Sequence, residues 1–144
     1  MGVCDCFQWT GEALAEVTIG KYAYGGLFLR MPWKAGVRAE LVNSEGQKNQ
    51  EGEGQPAKWV DLAMQIEGMD EMAHLALIDH PQNAGHPALW RIDGQFGVGP
   101  ALARRGDLAI PKGEKKTCRY RLVVYQGAFD RERIEKEQAA FRGQ

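Results

Sequence analysis

Lys58-Trp59-Val60-Asp61-Leu62-Ala63-Met64-Gln65-Ile66, then Glu67-Gly68-Met69-Asp70, then Met72-Ala73-His74-Leu75-Ala76-Leu77-Ile78-Asp79 is the stretch from which the fold follows. Two β-compatible runs separated by a short, Gly-containing turn read as a β-hairpin. In the second run Ala73, Leu75 and Leu77 alternate with Met72, Ala76 and Ile78, so both faces are apolar. Such a strand needs cover on both sides, which predicts a central place in a sheet.

Working outward, strand patterns recur at short spacing. Residues 37–43 put Val37, Ala39 and Leu41 on one face. Residues 117–125 put Cys118, Tyr120, Leu122 and Val124 opposite Arg119 and Arg121. Further strands are expected over residues 13–19, 88–92, 95–98 and 108–110. Residues 23–30 read as another, with Gly25-Gly26 marking a bulge or a close backbone approach. Residues 44–56, polar and rich in Gly and Glu, read as a long loop. Only the tail is helical, because Ile134, Gln138 and Phe141 share one face and Asp130 can cap the first turn. The end bearing Cys4 and Cys6 is expected to fray. One domain over residues 1–144 follows, with strands within 13–127 and a helix over 129–142. Its class is mainly β: an antiparallel β-sandwich, jelly-roll or mutarotase-like, with a carboxy-terminal helix. A parallel α/β sheet is excluded for want of crossover helices.

The 144 residues carry 18 Lys+Arg against 19 Asp+Glu, a net charge of −1. That balance argues against nucleic-acid binding, which needs a basic field, and against a polybasic membrane surface. No apolar run approaches the roughly 18 residues of a membrane span. Cys4, Cys6 and Cys118 are too few and too badly spaced for a disulfide framework, which favours a reducing compartment. The first residues have no basic or apolar leader pattern, and Cys6 stands where a myristoylation signal wants Ser or Thr. A cytoplasmic protein is expected.

The chemistry-bearing segment is Asp79-His80-Pro81-Gln82-Asn83-Ala84-Gly85-His86-Pro87-Ala88-Leu89-Trp90-Arg91. Each proline forces the histidine before it into extended geometry. Imidazoles, an amide, an indole and a guanidinium displayed at a strand end suit sugar binding or carbonyl polarisation. His80 and His86 are the candidate catalytic groups. Asn83, Trp90 and Arg91, with Trp59, Arg30 and the loop carboxylate Glu51, are the candidate substrate-binding groups. In this reading Trp59 or Trp90 is a stacking platform for a sugar ring. The same segment equally makes a rigid turn, with His80 closing the strand, Asn83 in an Asx-turn and Trp90 in the core. A third reading takes His80 and His86 as metal ligands, completed by His74, Glu51, Glu53 or Asp79. The residues by themselves name no cofactor.

Five stretches, residues 20–30, 43–46, 57–61, 79–90 and 111–121, resemble the PmoA-like domain family, labelled as a methane oxygenase and otherwise of unknown function. His80-Pro81-x-Asn83-x-x-His86-Pro87 is the specific part. The resemblance implies a β-sandwich associated with carbohydrate breakdown, and the label implies a His-ligated oxygenase as the alternative. Family members are longer, and this chain is similar to their carboxy-terminal half. That implies a binding module, a structural or interaction subunit of a complex, or a self-associating half. A homodimer or hetero-complex is therefore expected, since a half-sandwich exposes an edge or face. The two-faced strand over residues 72–78 points the same way, and the carboxy-terminal helix is a candidate docking element.

Overall fold

A computed structural model describes residues 2–143. Nine strands and one helix follow in order: β1 (Gly2–Glu12), β2 (Val17–Ile19), β3 (Ala39–Asn43), β4 (Trp59–Gln65), β5 (Met72–Asp79), β6 (Trp90–Ile92), β7 (Val98–Pro100), β8 (Leu108–Ile110), β9 (Lys115–Gln126) and α1 (Arg131–Phe141). The protein is mainly β and antiparallel, with one carboxy-terminal helix, as the patterning predicts. The main sheet has the order β1-β9-β5-β4-β3, and two ribbons, β2-β8 and β6-β7, accompany it. The quoted hairpin is β4-β5, paired from Trp59↔Ile78 to Gln65↔Met72, and β5 is the central strand.

Alternation in β5 and β9 divides the sheet into two buried faces. Leu41, Val60, Leu62, Leu77 and Tyr120 meet Trp90, Ile92 and Val98 of the β6-β7 ribbon in one core. On the other face Trp59, Ala76, Ile78, Val123 and Tyr125 pack against Ile134 and Phe141 of α1. The helix is amphipathic as expected, buries Ile134, Gln138 and Phe141, and starts where the Asp130 carboxylate accepts the Arg133 N–H. Burying Ile134 and Phe141 contributes about 3–6 kcal/mol between them. So the chain's own helix covers the second face of β5. The apolarity of residues 72–78 therefore gives no support to a dimer, and α1 docks on its own sheet.

Several elements differ from expectation, among them the strand expected over residues 95–98, which lies at Val98–Pro100. Residues 2–12 do not fray: β1 pairs with β9 over its whole length, from Gly2↔Tyr125 to Glu12↔Lys115. Its Gln and Thr residues and terminal position masked a strand specified by its partner. Residues 13–19 keep only Val17–Ile19 as strand. Residues 23–30 form no ladder; only Leu29 bridges to Val98. The expected close backbone approach is present at Gly26, where an added Cβ would sit 3.3 Å from the Pro100 carbonyl oxygen, and is tighter at Gly99, where it would sit 2.1 Å from the Leu27 carbonyl oxygen. Residues 44–56 are organised by Asn43, whose Oδ1 accepts the N–H groups of Glu45 and Gln47, and contain a 3-10 turn, Asn49–Gly52.

Candidate functional site

The His-Pro segment leaves the end of β5, where successive side chains point to opposite faces. His80 goes to the helix side and is fully buried. Its Nδ1 accepts the Gln82 N–H at 3.1 Å, and its Nε2–H donates to the Phe141 carbonyl at 3.1 Å. Those partners require the neutral Nε2–H tautomer, and burial holds its pKa below the ordinary histidine value. With both nitrogens engaged, His80 clamps the strand end to the last turn of α1. It has no free atom for catalysis or metal ligation, which corrects that expectation.

Asp79 points the other way and organises the loop. One carboxylate oxygen accepts from Asn83 at 2.8 Å; the other lies 2.7 Å from His86 Nδ1 and accepts the Ala88 N–H at 2.9 Å. Burial raises the Asp79 pKa, outweighing the opposing pull of Asn83, His86 and Ala88. The Asn83 amide is engaged by the protein itself. Its Nδ2 donates to the Arg119 carbonyl and its Oδ1 accepts the Arg119 N–H, so the amide continues the ladder to β9 beyond the end of β5. The rigid-turn reading describes this loop. Among the predicted catalytic groups only His86 keeps a ring nitrogen, Nε2, without a hydrogen-bond partner among the described residues. His80 and His86 do not converge, and no set of three His, Cys, Asp or Glu among the described residues is placed to hold a metal ion.

Neither predicted stacking platform is available. Trp90 is wholly buried in the core with Nε1–H donating to the Ala57 carbonyl, and Trp59 is 1% exposed beneath Phe129 and Arg131. Both indoles fill the core because their strands turn that parity inward. Glu51 is also displaced from its expected role: its carboxylate accepts the Lys48 N–H and caps the 3-10 turn.

Arg30 and Arg91 do come together, in an open cleft of about 490 Å³ lined by Tyr24, Gly25, Gly26, Phe28, Arg30, Arg91 and Asp93. In residues 27–31 the odd positions Leu27, Leu29 and Met31 pack on the core, leaving Phe28 and Arg30 outside. Arg91 likewise lies between the buried Trp90 and Ile92 on β6. Tyr24 is 54% exposed and Phe28 39%, with Tyr22 edge-on to Tyr24 at 4.7 Å. The Arg91 guanidinium sits 5.8 Å from the Tyr24 ring centroid, and that of Arg30 5.5 Å from Phe28.

Two carboxylates hold these cations. Glu53 binds Arg91 at 2.9 Å, Arg104 at 2.8 Å and the Ile92 N–H. Burial alone would raise its pKa, but those three donors outweigh it and leave Glu53 below the usual carboxylate range. Asp93 pairs with Arg30 and accepts the Gln95 and Gly97 N–H groups, which lower its pKa against the effect of burial. The cleft therefore offers exposed aromatic faces beside fixed planar donors and acceptors. Reading residues 23–30 as a strand hid Tyr24 and Phe28. The available signal was their even-numbered spacing with Arg30, opposite Leu27 and Leu29.

A second, apolar groove of about 580 Å³ runs between β1 and β2, with Phe7 and Trp9 on one wall, Ile19 and Leu102 on the other, and Cys118 and Tyr120 lining it. Cys118 thus lines an open surface rather than sitting wholly within the core, and burial raises the pKa of both its thiol and the Tyr120 hydroxyl. No helix among the described residues is long and apolar enough to cross a membrane.

A family model described as a family of unknown function (DUF6807) matches residues 6–139. No curated protein and no solved structure matches the chain.

Proposed function

The chain belongs to this family of unknown function, DUF6807, and from that footing we propose that it is a carbohydrate-binding domain whose ligand lies in the Tyr24–Phe28 cleft. One observation carries the reading: Tyr24 and Phe28 stand exposed within a cleft whose rim holds Arg30, Arg91 and Asp93. Aromatic faces pack on the apolar side of a sugar ring, and planar guanidinium and carboxylate groups satisfy its hydroxyls. The ion pairs to Glu53 and Asp93 fix both guanidiniums before a ligand arrives, which lowers the ordering cost of binding. The contacts expected of Trp59 and Trp90 pass in this reading to Tyr24 and Phe28. Self-association belongs to the same reading, because two open clefts on one particle raise the avidity for a polymeric glycan.

Calorimetric titration of a panel of neutral and acidic oligosaccharides tests the assignment. Binding of at least one member is expected, with Tyr24→Ala and Arg91→Ala each weakening it about tenfold, or about 1.4 kcal/mol. His80→Gln should leave affinity unchanged in whatever fraction folds. A panel that yields no binder, or a binder indifferent to Tyr24→Ala, sinks the proposal.

A further inference from the structure

We propose that β1 is a self-pairing edge, through which two copies of this chain join their main sheets into one continuous antiparallel sheet. The argument does not depend on what occupies the cleft.

β1 is the outermost strand of the main sheet, and its inner edge is fully used by β9. No second strand among the described residues pairs with its outer edge. The Ala13 N–H continues the β1-β9 ladder to the Glu114 carbonyl, so odd-numbered residues bond inward and even-numbered ones face out. From the other side, His80 N–H donates to the Arg119 carbonyl, which turns the odd residues of β9 toward β5 and its even residues toward β1. Backbone positions 2, 4, 8, 10 and 12 thus present a row of outward donors and acceptors.

Exposed edges are usually blunted by proline, lysine or a bulge. β1 contains no Pro and no Lys, and its register with β9 is unbroken over eleven residues. Beside that edge Val3, Phe7 and Trp9 are 65%, 41% and 53% exposed on one face. The sequence is also self-complementary. Antiparallel pairing about a two-fold axis at Phe7 uses all eleven residues and sets Cys4 opposite Thr10, Cys6 opposite Gln8 and Asp5 opposite Trp9. No two like charges meet, because the strand's only charges, Asp5 and Glu12, face Trp9 and Gly2. Even-numbered residues become the hydrogen-bonded pairs, as their outward orientation requires. Phe7 meets its own copy as a close, non-hydrogen-bonded pair, and Trp9 of each copy flanks the partner's β1 at the mouth of its groove. The interface is isologous and closes after two copies.

Light scattering at micromolar concentration is expected to show twice the chain mass of 16.0 kDa. Gln8→Pro removes an outward N–H without touching the β9 ladder and should give a folded monomer by circular dichroism. If that variant does not fold, crosslinking decides instead. In a Cys4→Ser/Cys6→Ser background, Phe7→Cys should form a reducible covalent dimer on mild oxidation. Asp5→Cys should not, because the register holds its two copies about 13 Å apart. A mass constant at 16.0 kDa on concentrating overturns the proposal. So does a dimer that neither Gln8→Pro dissociates nor Phe7→Cys crosslinks.

Discussion

Both ring nitrogens of His74 face oxygen acceptors: Nδ1 lies 2.7 Å from the Asp61 carboxylate and Nε2 3.1 Å from the Gly127 carbonyl. Neither acceptor can donate, so both nitrogens do, and the imidazolium is the form the site stabilises. Burial works to lower the His74 pKa, but the Asp61 hydrogen bond and charge, with the Gly127 carbonyl, outweigh it and raise the pKa above 6.5. Tyr125 donates its hydroxyl to the other Asp61 oxygen at 3.0 Å and stacks on the His74 ring. A raised folded-state pKa means this stabilisation is full below about pH 6.5 and disappears as pH climbs through the folded value. Urea midpoints measured from pH 6 upward should therefore fall for the wild type and stay flatter for His74→Gln. His74→Ala leaves the Asp61 carboxylate buried without its cation and should cost about 3–5 kcal/mol. A loss below 1 kcal/mol would show that the pair adds little. The sequence offers His74 as a polar residue in an apolar strand and a candidate third metal ligand, and its pairing with Asp61 was not legible there.

At the scale of elements, the helix and the ribbon are the parts whose removal speaks most directly. Removing residues 131–144 uncovers Trp59, Ile78, Val123 and Tyr125, so the truncated chain should aggregate or expose dye-binding surface rather than remain a stable, smaller monomer. Asp130→Ala removes only the cap on the first turn and should cost about 1 kcal/mol. Gly99 on β7 has a different sensitivity. A methyl there meets the Leu27 carbonyl oxygen, which belongs to the segment that presents Phe28 and Arg30. Gly99→Ala should therefore destabilise by about 1–3 kcal/mol and weaken ligand binding, while Gly94→Ala, with open space around it, changes neither. Equal melting temperatures for the two variants would contradict the close approach.

For the whole molecule, the sheet order predicts a gradient of stability. β5 and β9 are bonded on both sides and covered by both cores, so their amides should exchange slowest, close to the global unfolding rate. β1 should show a period of two in a dilute monomer, with odd-numbered amides protected and even-numbered ones exchanging freely. On concentrating, the amides of residues 4, 8 and 10 should gain protection if β1 self-pairs. Uniform exchange along β1 at every concentration would remove both the strand and the interface.

Local periodicity was enough to place the β4-β5 hairpin, the central position of β5, the strand in β9 and the buried face of α1. Each of these is stated by residues within a few positions of one another, and a side-chain period of two or 3.6 is visible without a partner. The loop carrying His80 and His86 stood out for a real reason, since two prolines and an aspartate do build a rigid turn there. What decided its role was which neighbours lay within hydrogen-bonding reach. His80 was taken up by the last helical carbonyl, 61 residues away, and Asn83 by Arg119, 36 residues away. β1 was invisible for the same reason, because its partner strand begins more than a hundred residues later. The cleft, likewise, exists only because residues 24–30 are bridged onto β7, which sets Arg30 beside Asp93. Such pairings depend on contacts between distant segments, and a single sequence supplies the groups but not their juxtaposition.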